Sequence, residues 1–179
     1  MIAQAMYVWW VALMLLIGVA PEQTDPPLEE ADTVAILKAS YLFKFATSND
    51  WPAEAKNGPF KIGVYKHEGV FRELSTKYAT KPIGSQALEV HLIDKPDEKS
   101  FYHIVYAPSK DGEALKKLAS AAANKSTLFV SDGKDNLKRG AAIAFVVVDN
   151  GTRYMINTDE AQRRKISIGS TILSWAISN

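Results

Sequence analysis

Residues 141–157 read AAIAFVVVDNGTRYMIN, a stretch that indicates both a buried strand and the turn that follows it. It opens with an almost wholly apolar run, 141–148, which is typical of a strand buried on both faces of a sheet. Asp149-Asn150-Gly151 follows, and an Asn-Gly pair accepts the positive φ angles that tight hairpins need. Residues 153–157 then form the returning strand. The stretch therefore predicts a buried strand joined by a tight turn to an antiparallel neighbour.

Upstream of this stretch, short β-rich runs alternate with helical patterns. Strands are predicted at 60–65, 87–93, 101–106 and 126–130, and helices at 70–78, 111–123, 158–164 and 168–176. Such alternation indicates a mostly parallel sheet covered by helices. The expected fold class is therefore α/β: a mostly parallel mixed sheet flanked by helices on both faces, with a C-terminal β-hairpin.

A long helix is predicted before the first strand, with Asp32 as its N-cap and its end near Thr47. Its apolar residues lie on more than one face, and few of its residues are polar. A helix that is apolar over most of its circumference is buried on more than one side. Trp51-Pro52 follows, and the proline disfavours helix at Trp51.

The first twenty residues, MIAQAMYVWWVALMLLIGVA, carry no charged side chain and are followed at once by PEQTDPP. An abrupt change from apolar to polar and Pro-rich sequence is typical of a secretory signal. We expect residues 1–20 to be a signal peptide or, if Pro21 prevents cleavage, a membrane anchor just long enough to span about 30 Å of hydrocarbon. Residues 21–32 are expected to be an acidic, Pro-rich tether and residues 33–179 a single domain. Either outcome predicts a periplasmic domain, anchored to the inner membrane if residues 1–20 are retained.

The composition argues against several classes of function. The 179 residues carry a formal net charge of +1, whereas nucleic-acid binding needs a clustered basic surface. There are no cysteines, which excludes disulfides, thiolate catalysis and thiolate metal sites. His67, His91 and His103 have no second ligand at metal-binding spacing, and no nucleophile, dinucleotide or phosphate-loop motif occurs. We therefore expect no catalytic residue, no cofactor and no metal.

Ser131-Asp132-Gly133 closes the strand predicted at 126–130. Ligands of open α/β sheets gather at the carboxyl ends of the strands, so Ser131 and Asp132 are candidate ligand contacts. The alternative interpretation is an Asx-type turn. In such a turn the Asp132 side chain accepts a hydrogen bond from its own loop backbone, and Gly133 supplies the positive φ angle. The basic residues of the C-terminal third lie among acidic ones, which predicts a solvated surface of mixed charge.

Several stretches together resemble the YfiR family of periplasmic proteins. Five of them are AILKASYLFKFATSNDWP (35–52), PFKIGVY (59–65), KPIGSQALEVHLI (81–93), FYHIVYAPS (101–109) and LFVSDG (128–133). The sixth begins with AAIAFVVVDNGTRYMIN (141–157) and continues through a basic helix to ISIGSTILSWA (166–176). Their order and spacing over about residues 33–176 carry the resemblance, since no single piece is specific. The resemblance implies an α/β domain that is regulatory and tends to form homodimers. It also implies a membrane-bound sensor or cyclase as partner, with release through an outer-membrane lipoprotein.

Three functional hypotheses follow from the sequence. The first is a non-enzymatic regulator that binds and restrains a diguanylate cyclase, and hence cyclic di-GMP signalling, or a histidine kinase. In this hypothesis Trp51 is the candidate partner contact because Trp dominates interface hot spots, although a Trp in this position can also cap the core. The second is a small-molecule-binding module with its ligand near Ser131 and Asp132. The third, an enzyme, has no motif to support it.

Overall fold

The computed structural model describes residues 28–108 and 111–178. The predicted signal peptide or anchor, 1–20, lies outside the described residues, as do residues 21–27 of the predicted tether. The first described element, α1 (Leu28–Ser48), begins before the predicted N-cap, Asp32. That expectation was wrong, because the acidic first turn, which includes Glu29 and Glu30, already favours a helix start there. Asp32 lies inside α1, where its carboxylate is 3.1 Å from the guanidinium of Arg72.

Within the described residues, six strands form one mixed sheet in the order β2-β1-β3-β4-β5-β6. The strands are β1 (Phe60–Tyr65), β2 (Leu88–Ile93), β3 (Ile104–Ala107), β4 (Leu128–Asp132), β5 (Ile143–Val148) and β6 (Gly151–Ile156). The first five are parallel, and β6 pairs antiparallel with β5. This is the strand order of a doubly wound sheet with an antiparallel strand added at one edge.

Helices cover both faces of the sheet, as the alternating pattern predicted. The remaining α-helices are α2 (Glu68–Tyr78), α3 (Gly112–Ala123), α4 (Thr158–Arg163) and α5 (Ser170–Trp175), and short 3-10 helices occupy Ala53–Lys56 and Lys134–Arg139. The core beneath α1 and α2 includes Ile104 and Tyr106 of β3. The core beneath α3 includes Val105 and Ala107. Successive residues of one strand thus enter opposite cores, because side chains alternate between the two faces.

The hairpin between β5 and β6 is formed by the turn that the sequence predicts. Asp149 and Asn150 have φ angles of 49° and 59°. Val148 pairs with Gly151 across the turn, and the antiparallel register continues to Ile143 and Ile156. The mixed α/β sheet and its C-terminal hairpin are therefore confirmed.

The chain after α5 crosses the outer edge of β6. The Ile177 N–H donates a hydrogen bond of 3.0 Å to the Tyr154 carbonyl. The Tyr154 hydroxyl donates a hydrogen bond of 2.8 Å to the Ile172 carbonyl. The side chain of Ile177 packs against the small cluster that contains Met155 and Val146. We call residues 176–178 the C-terminal tail.

Candidate functional site

The candidate site lies at the carboxyl ends of β3 and β4, beneath the N-terminal half of α1. The ammonium of Lys38, from α1, lies 2.8 Å from a carboxylate oxygen of Asp132, the last residue of β4. Lys38 also donates a hydrogen bond of 3.0 Å to the hydroxyl oxygen of Tyr106, from β3. The Tyr106 hydroxyl in turn lies 3.1 and 3.2 Å from the two oxygens of Asp132 and donates to that carboxylate. Three elements thus meet in one hydrogen-bonded cluster.

The cluster holds its charges in a mostly apolar setting. The Lys38 side chain is 11% exposed and that of Asp132 is 25% exposed. The rings of Tyr106 and Phe145 have their centroids 5.5 and 5.8 Å from the Lys38 ammonium, within the range of cation–π attraction. Burial, together with the nearby charge of Asp132, raises the pKa of Tyr106 well above its usual value. The hydroxyl therefore keeps its proton and remains a hydrogen-bond donor to Asp132.

A cleft of about 690 Å³ opens beside this cluster. Asp132 and Lys134 contribute polar groups to it. Its apolar lining comes from α1, the hairpin and the C-terminal tail, and includes Val34, Phe145, Val147, Val148, Met155 and Ile177. Val147 is 77% exposed at the hairpin, and its neighbour Val148 is 39% exposed. The arrangement can bind an apolar group while a carboxylate and an ammonium fix its orientation.

Of the two residues predicted from the sequence as ligand contacts, one lines the cleft and the other is buried away from it. Asp132 lines the cleft. Ser131 is fully buried, and its hydroxyl donates a hydrogen bond of 2.8 Å to the Ala107 carbonyl. Gly133 does supply a positive φ, 79°, as the turn interpretation expected. The side chain of Asp132, however, contacts Lys38 and Tyr106, whereas the loop backbone at Asp132 is held by Asn136, whose amide donates to the Asp132 carbonyl at 2.6 Å.

Trp51 lies at the opposite, amino end of the sheet. It is 5% exposed, and its indole N–H donates a hydrogen bond of 3.0 Å to the Ser126 carbonyl. Its ring meets Phe60, the first residue of β1, edge to face with 4.9 Å between the centroids. Trp51 therefore occupies the core-capping position, and its ring offers little surface to a partner.

His103 is buried next to Trp51 and is fully hydrogen-bonded. Its Nδ1 accepts a hydrogen bond of 2.9 Å from the Lys61 N–H, and its Nε2 lies 2.6 Å from the Ala55 carbonyl. Only a neutral ring with its proton on Nε2 satisfies both contacts. Burial lowers the pKa of His103, although the hydrogen bond to Ala55 opposes the change. His103, just before β3, therefore has a structural role.

Arg164 is an exception to the solvated basic surface that the sequence predicted. Its side chain is 1% exposed and its guanidinium lies 2.6 Å from a carboxylate oxygen of Glu160. It also donates hydrogen bonds of 3.0 Å to the Thr127 carbonyl and 2.7 Å to the Gly140 carbonyl. Burial disfavours the charge on Glu160, but hydrogen bonds from Arg163 and Arg164 outweigh it and hold the pKa of Glu160 below its usual value. Arg164 thus joins α4 to two loops.

Sequence reasoning missed Lys38 and Tyr106 as members of the site. A signal was present for Lys38: it lies one turn after Val34 and one turn before Tyr41, so a cation interrupts an apolar stripe of α1. No such signal marks Tyr106, because an aromatic residue in a buried strand is ordinary.

No group of three or more His, Cys, Asp or Glu side chains in the described part of the chain could hold a metal ion. None of the helices from residue 28 onward has the length and apolarity needed to cross a membrane.

Fold and site together define a doubly wound α/β domain with a cleft at the carboxyl ends of its strands. A family model described as YfiR/HmsC-like matches residues 35–177, and the chain belongs to that family. The resemblance noted in the sequence is thereby confirmed. The family consists in general of periplasmic regulators of diguanylate cyclases, and it is known as regulatory rather than catalytic.

Similarity to solved structures is limited to the fold. A crystal structure described as a conserved domain protein from Vibrio cholerae matches with a TM-score of 0.51 and 17% sequence identity. The match covers 80% of this chain and 59% of the Vibrio chain, so this chain spans less than two thirds of that protein. A search of curated proteins found no match.

Proposed function

We propose that this protein is a non-enzymatic periplasmic regulatory module that binds and restrains an inner-membrane signalling protein. The family match over residues 35–177 carries the proposal. A diguanylate cyclase is the partner to test first, because the family regulates such enzymes; a histidine kinase is the second. The module would bind the inactive state of its partner more tightly than the active state, since only differential affinity can shift such an equilibrium.

Several finer features belong to the same proposal. Residues 1–20 would export the chain, as a cleaved signal peptide or as a retained anchor, and residues 33–179 would act as one domain in the periplasm. The module would work as a homodimer, and an outer-membrane lipoprotein would release it from its partner. These features extend the first hypothesis from the sequence, and each can be tested separately.

The carboxyl end of the sheet is our proposed docking surface for the partner. The N-terminal half of α1 lies at this end, because Lys38 contacts Asp132 at the end of β4. If residues 1–20 stay in the membrane, only residues 21–27 separate the bilayer from the start of α1. Seven extended residues reach about 25 Å at most, so the cleft and the exposed Val147 would face the membrane and its proteins.

The decisive experiment is deletion of the gene, followed by measurement of cyclic di-GMP and surface attachment. We expect both to rise and to return to normal when the full chain is restored. If neither quantity changes in cells that normally express the protein, the partner is not a diguanylate cyclase.

A matched pair of substitutions tests the docking surface. Val147→Asp places a charge on the exposed hairpin, whereas Leu173→Asp places the same charge on α5, where Leu173 is 44% exposed. Neither should change the free energy of unfolding by more than about 0.5 kcal/mol, because both side chains lie on the surface. We expect Val147→Asp to abolish complementation and Leu173→Asp to retain it. Equal complementation by both variants would contradict docking at this end.

The cleft supports a second function, a small-molecule-binding module with Asp132 as a ligand contact. Its apolar lining and its ammonium–carboxylate pair suit a small molecule with an apolar body and a charged group. Thermal unfolding in the presence of amino acids, cell-wall fragments or nucleotides tests this function. A ligand that binds only the native state raises the midpoint with concentration, and the rise should disappear in Asp132→Asn. Absence of any concentration-dependent rise would rule out these three ligand classes.

A further inference from the structure

The outer edge of β6 carries backbone groups that point away from the sheet. The Tyr154 carbonyl faces outward, because it accepts a hydrogen bond from Ile177 rather than from β5. Backbone groups alternate in direction along a strand, so those of Thr152 and Ile156 face outward too. Within the described residues, no group outside the sheet accepts a hydrogen bond from the N–H groups of Thr152, Tyr154 and Ile156. The Thr152 carbonyl accepts a hydrogen bond of 3.5 Å from the Tyr41 hydroxyl, so α1 already contacts one group of this edge. Such an edge is a template on which another strand can form.

The C-terminal tail covers this edge with few contacts. Of the backbone hydrogen bonds seen for residues 176–178, one joins the tail to β6, from Ile177 to Tyr154. The Ile177 side chain is only half-buried where it packs beside Met155. An added strand that formed several backbone hydrogen bonds would replace the tail, since each rung contributes favourably. The tail thus marks the position where an incoming strand would bind. The tail itself is bound there only weakly.

The other edge of the sheet is a poorer template. β2 carries Glu89 and His91, with 3.2 Å between the carboxylate and the imidazole. Glu89 also lies 3.9 Å from the ammonium of Lys61 on the neighbouring strand. Charged side chains along an edge disfavour the addition of an apolar strand. β6 carries one charged side chain, the exposed Arg153, so the two edges differ in the number and sign of their charges.

We propose that the outer edge of β6 binds an extended segment of the membrane partner as a seventh strand, and that the C-terminal tail competes for the same edge. The inference rests on the proposed function for the identity of the partner. Its chemistry follows from the edge itself: an uncharged segment with alternating β-branched residues, bonded through its backbone. One of its apolar side chains would take the position of Ile177 beside Met155.

Peptide binding tests the edge without the partner. The probe is a fluorescein-labelled, acetylated hexapeptide, Thr-Val-Thr-Ile-Thr-Val, whose binding is followed by fluorescence anisotropy. It is titrated into the full chain and into a variant that ends after Ala176. Because an attached tail is a competitor at high effective concentration, its removal should tighten peptide binding by about tenfold or more. Equal affinity for the two proteins would overturn the competition.

Two further measurements locate the peptide on β6. In the shortened chain, Thr152→Pro removes an outward N–H and leaves the ladder to β5 intact, because that N–H does not face β5. We expect Thr152→Pro to abolish binding and Thr152→Val, the matched control, to retain it. A peptide methylated at alternate backbone nitrogens should also fail to bind, and this result does not depend on how well the proline variant folds. If the peptide still binds Thr152→Pro and the methylated peptide still binds the shortened chain, the outer edge of β6 is not the binding site.

A cellular measurement separates this inference from the proposed function. The chain that ends after Ala176 should restrain its partner more strongly and lower cyclic di-GMP below the level with the full chain. If the peptide fails to bind while gene deletion still raises cyclic di-GMP, the edge inference is wrong and the proposed function stands. If the peptide binds while gene deletion changes nothing, the cyclase assignment is wrong and the partner of the edge must be sought elsewhere.

Discussion

The two ends of the sheet are built from similar residue types but leave very different surfaces. At the amino end, Trp51, His103 and Arg164 have hydrogen-bond partners and are almost fully buried. At the carboxyl end, Lys38 and Asp132 form a comparable pair, yet a cleft opens beside them and Val147 is exposed. A cleft of about 480 Å³ also opens beside Arg164 at the amino end, but much of its lining is polar and basic, whereas the larger cleft at the carboxyl end is mostly apolar. A buried charge beside a cleft is therefore found at both ends, and the apolar lining of the larger cleft is what distinguishes the carboxyl end.

Truncation of Trp51 should have the largest effect on stability. Trp51→Ala leaves a cavity beside Phe60 and removes the indole hydrogen bond to Ser126, so we expect the free energy of unfolding to fall by about 3–5 kcal/mol. Urea unfolding measures the loss. Trp51→Phe keeps part of the packing and should lose less. A loss below about 1 kcal/mol for the alanine variant would show that the amino end is not the more rigidly packed one.

Separation of Lys38 from Asp132 should have an intermediate effect. Lys38→Met leaves the carboxylate without its cation, and we expect a loss of about 1–3 kcal/mol in the free energy of unfolding. Asp132→Asn should also destabilise the domain, and the double variant should lose less than the sum of the two single losses. The coupling energy from this double-mutant cycle measures the pair. Strict additivity would mean that the pair adds nothing beyond its separate residues.

Protonation of His103 should give the smallest effect, a pH dependence of stability. Burial lowers the pKa of His103 in the folded state, so the unfolded chain binds the proton more readily. The stabilisation is therefore complete above the unfolded value of about 6.5 and is lost as the pH falls below it, by at most about 1.4 kcal/mol per pH unit. Urea unfolding at pH 7.5 and pH 5.5 measures the difference. His103→Leu should reduce the difference and His91→Gln should preserve it; the opposite result would place the titration elsewhere.

Most of the fold could be predicted from the sequence because its signals are local. The predicted strand over 60–65 matches β1 in both bounds, and the predicted turn forms, although its positive φ angles fall on Asp149 and Asn150 rather than on the Asn-Gly pair. The helix start was missed, since the acidic residues before Asp32 are equally suited to a tether and to a helical first turn. Local patterns thus fixed the elements better than their boundaries.

The candidate site was harder to predict because its members are distant in sequence. Asp132 was found from its position at the end of a strand, but its partner Lys38 lies 94 residues away on α1. Only the parallel order of β3 and β4, with α1 across them, brings Lys38, Tyr106 and Asp132 together. Ser131 follows the same positional argument as Asp132, yet alternation along β4 turns it toward the opposite core, where its hydroxyl contacts Ala107.

The contact between Lys38 and Asp132 also has a mechanical consequence. A domain held by its N-terminal chain receives any pulling force at the start of α1, and Lys38 is ten residues further along that helix. The Lys38–Asp132 pair is then an early long-range contact along the path of the force. It connects α1 to the end of β4, beside the cleft. Tension on the N-terminal chain would act along α1, and its load would reach the cleft before it reached the packed aromatic residues around Trp51. Under the proposed anchoring, tension on the N-terminal chain would therefore reach the proposed docking surface before it reached the amino end of the sheet.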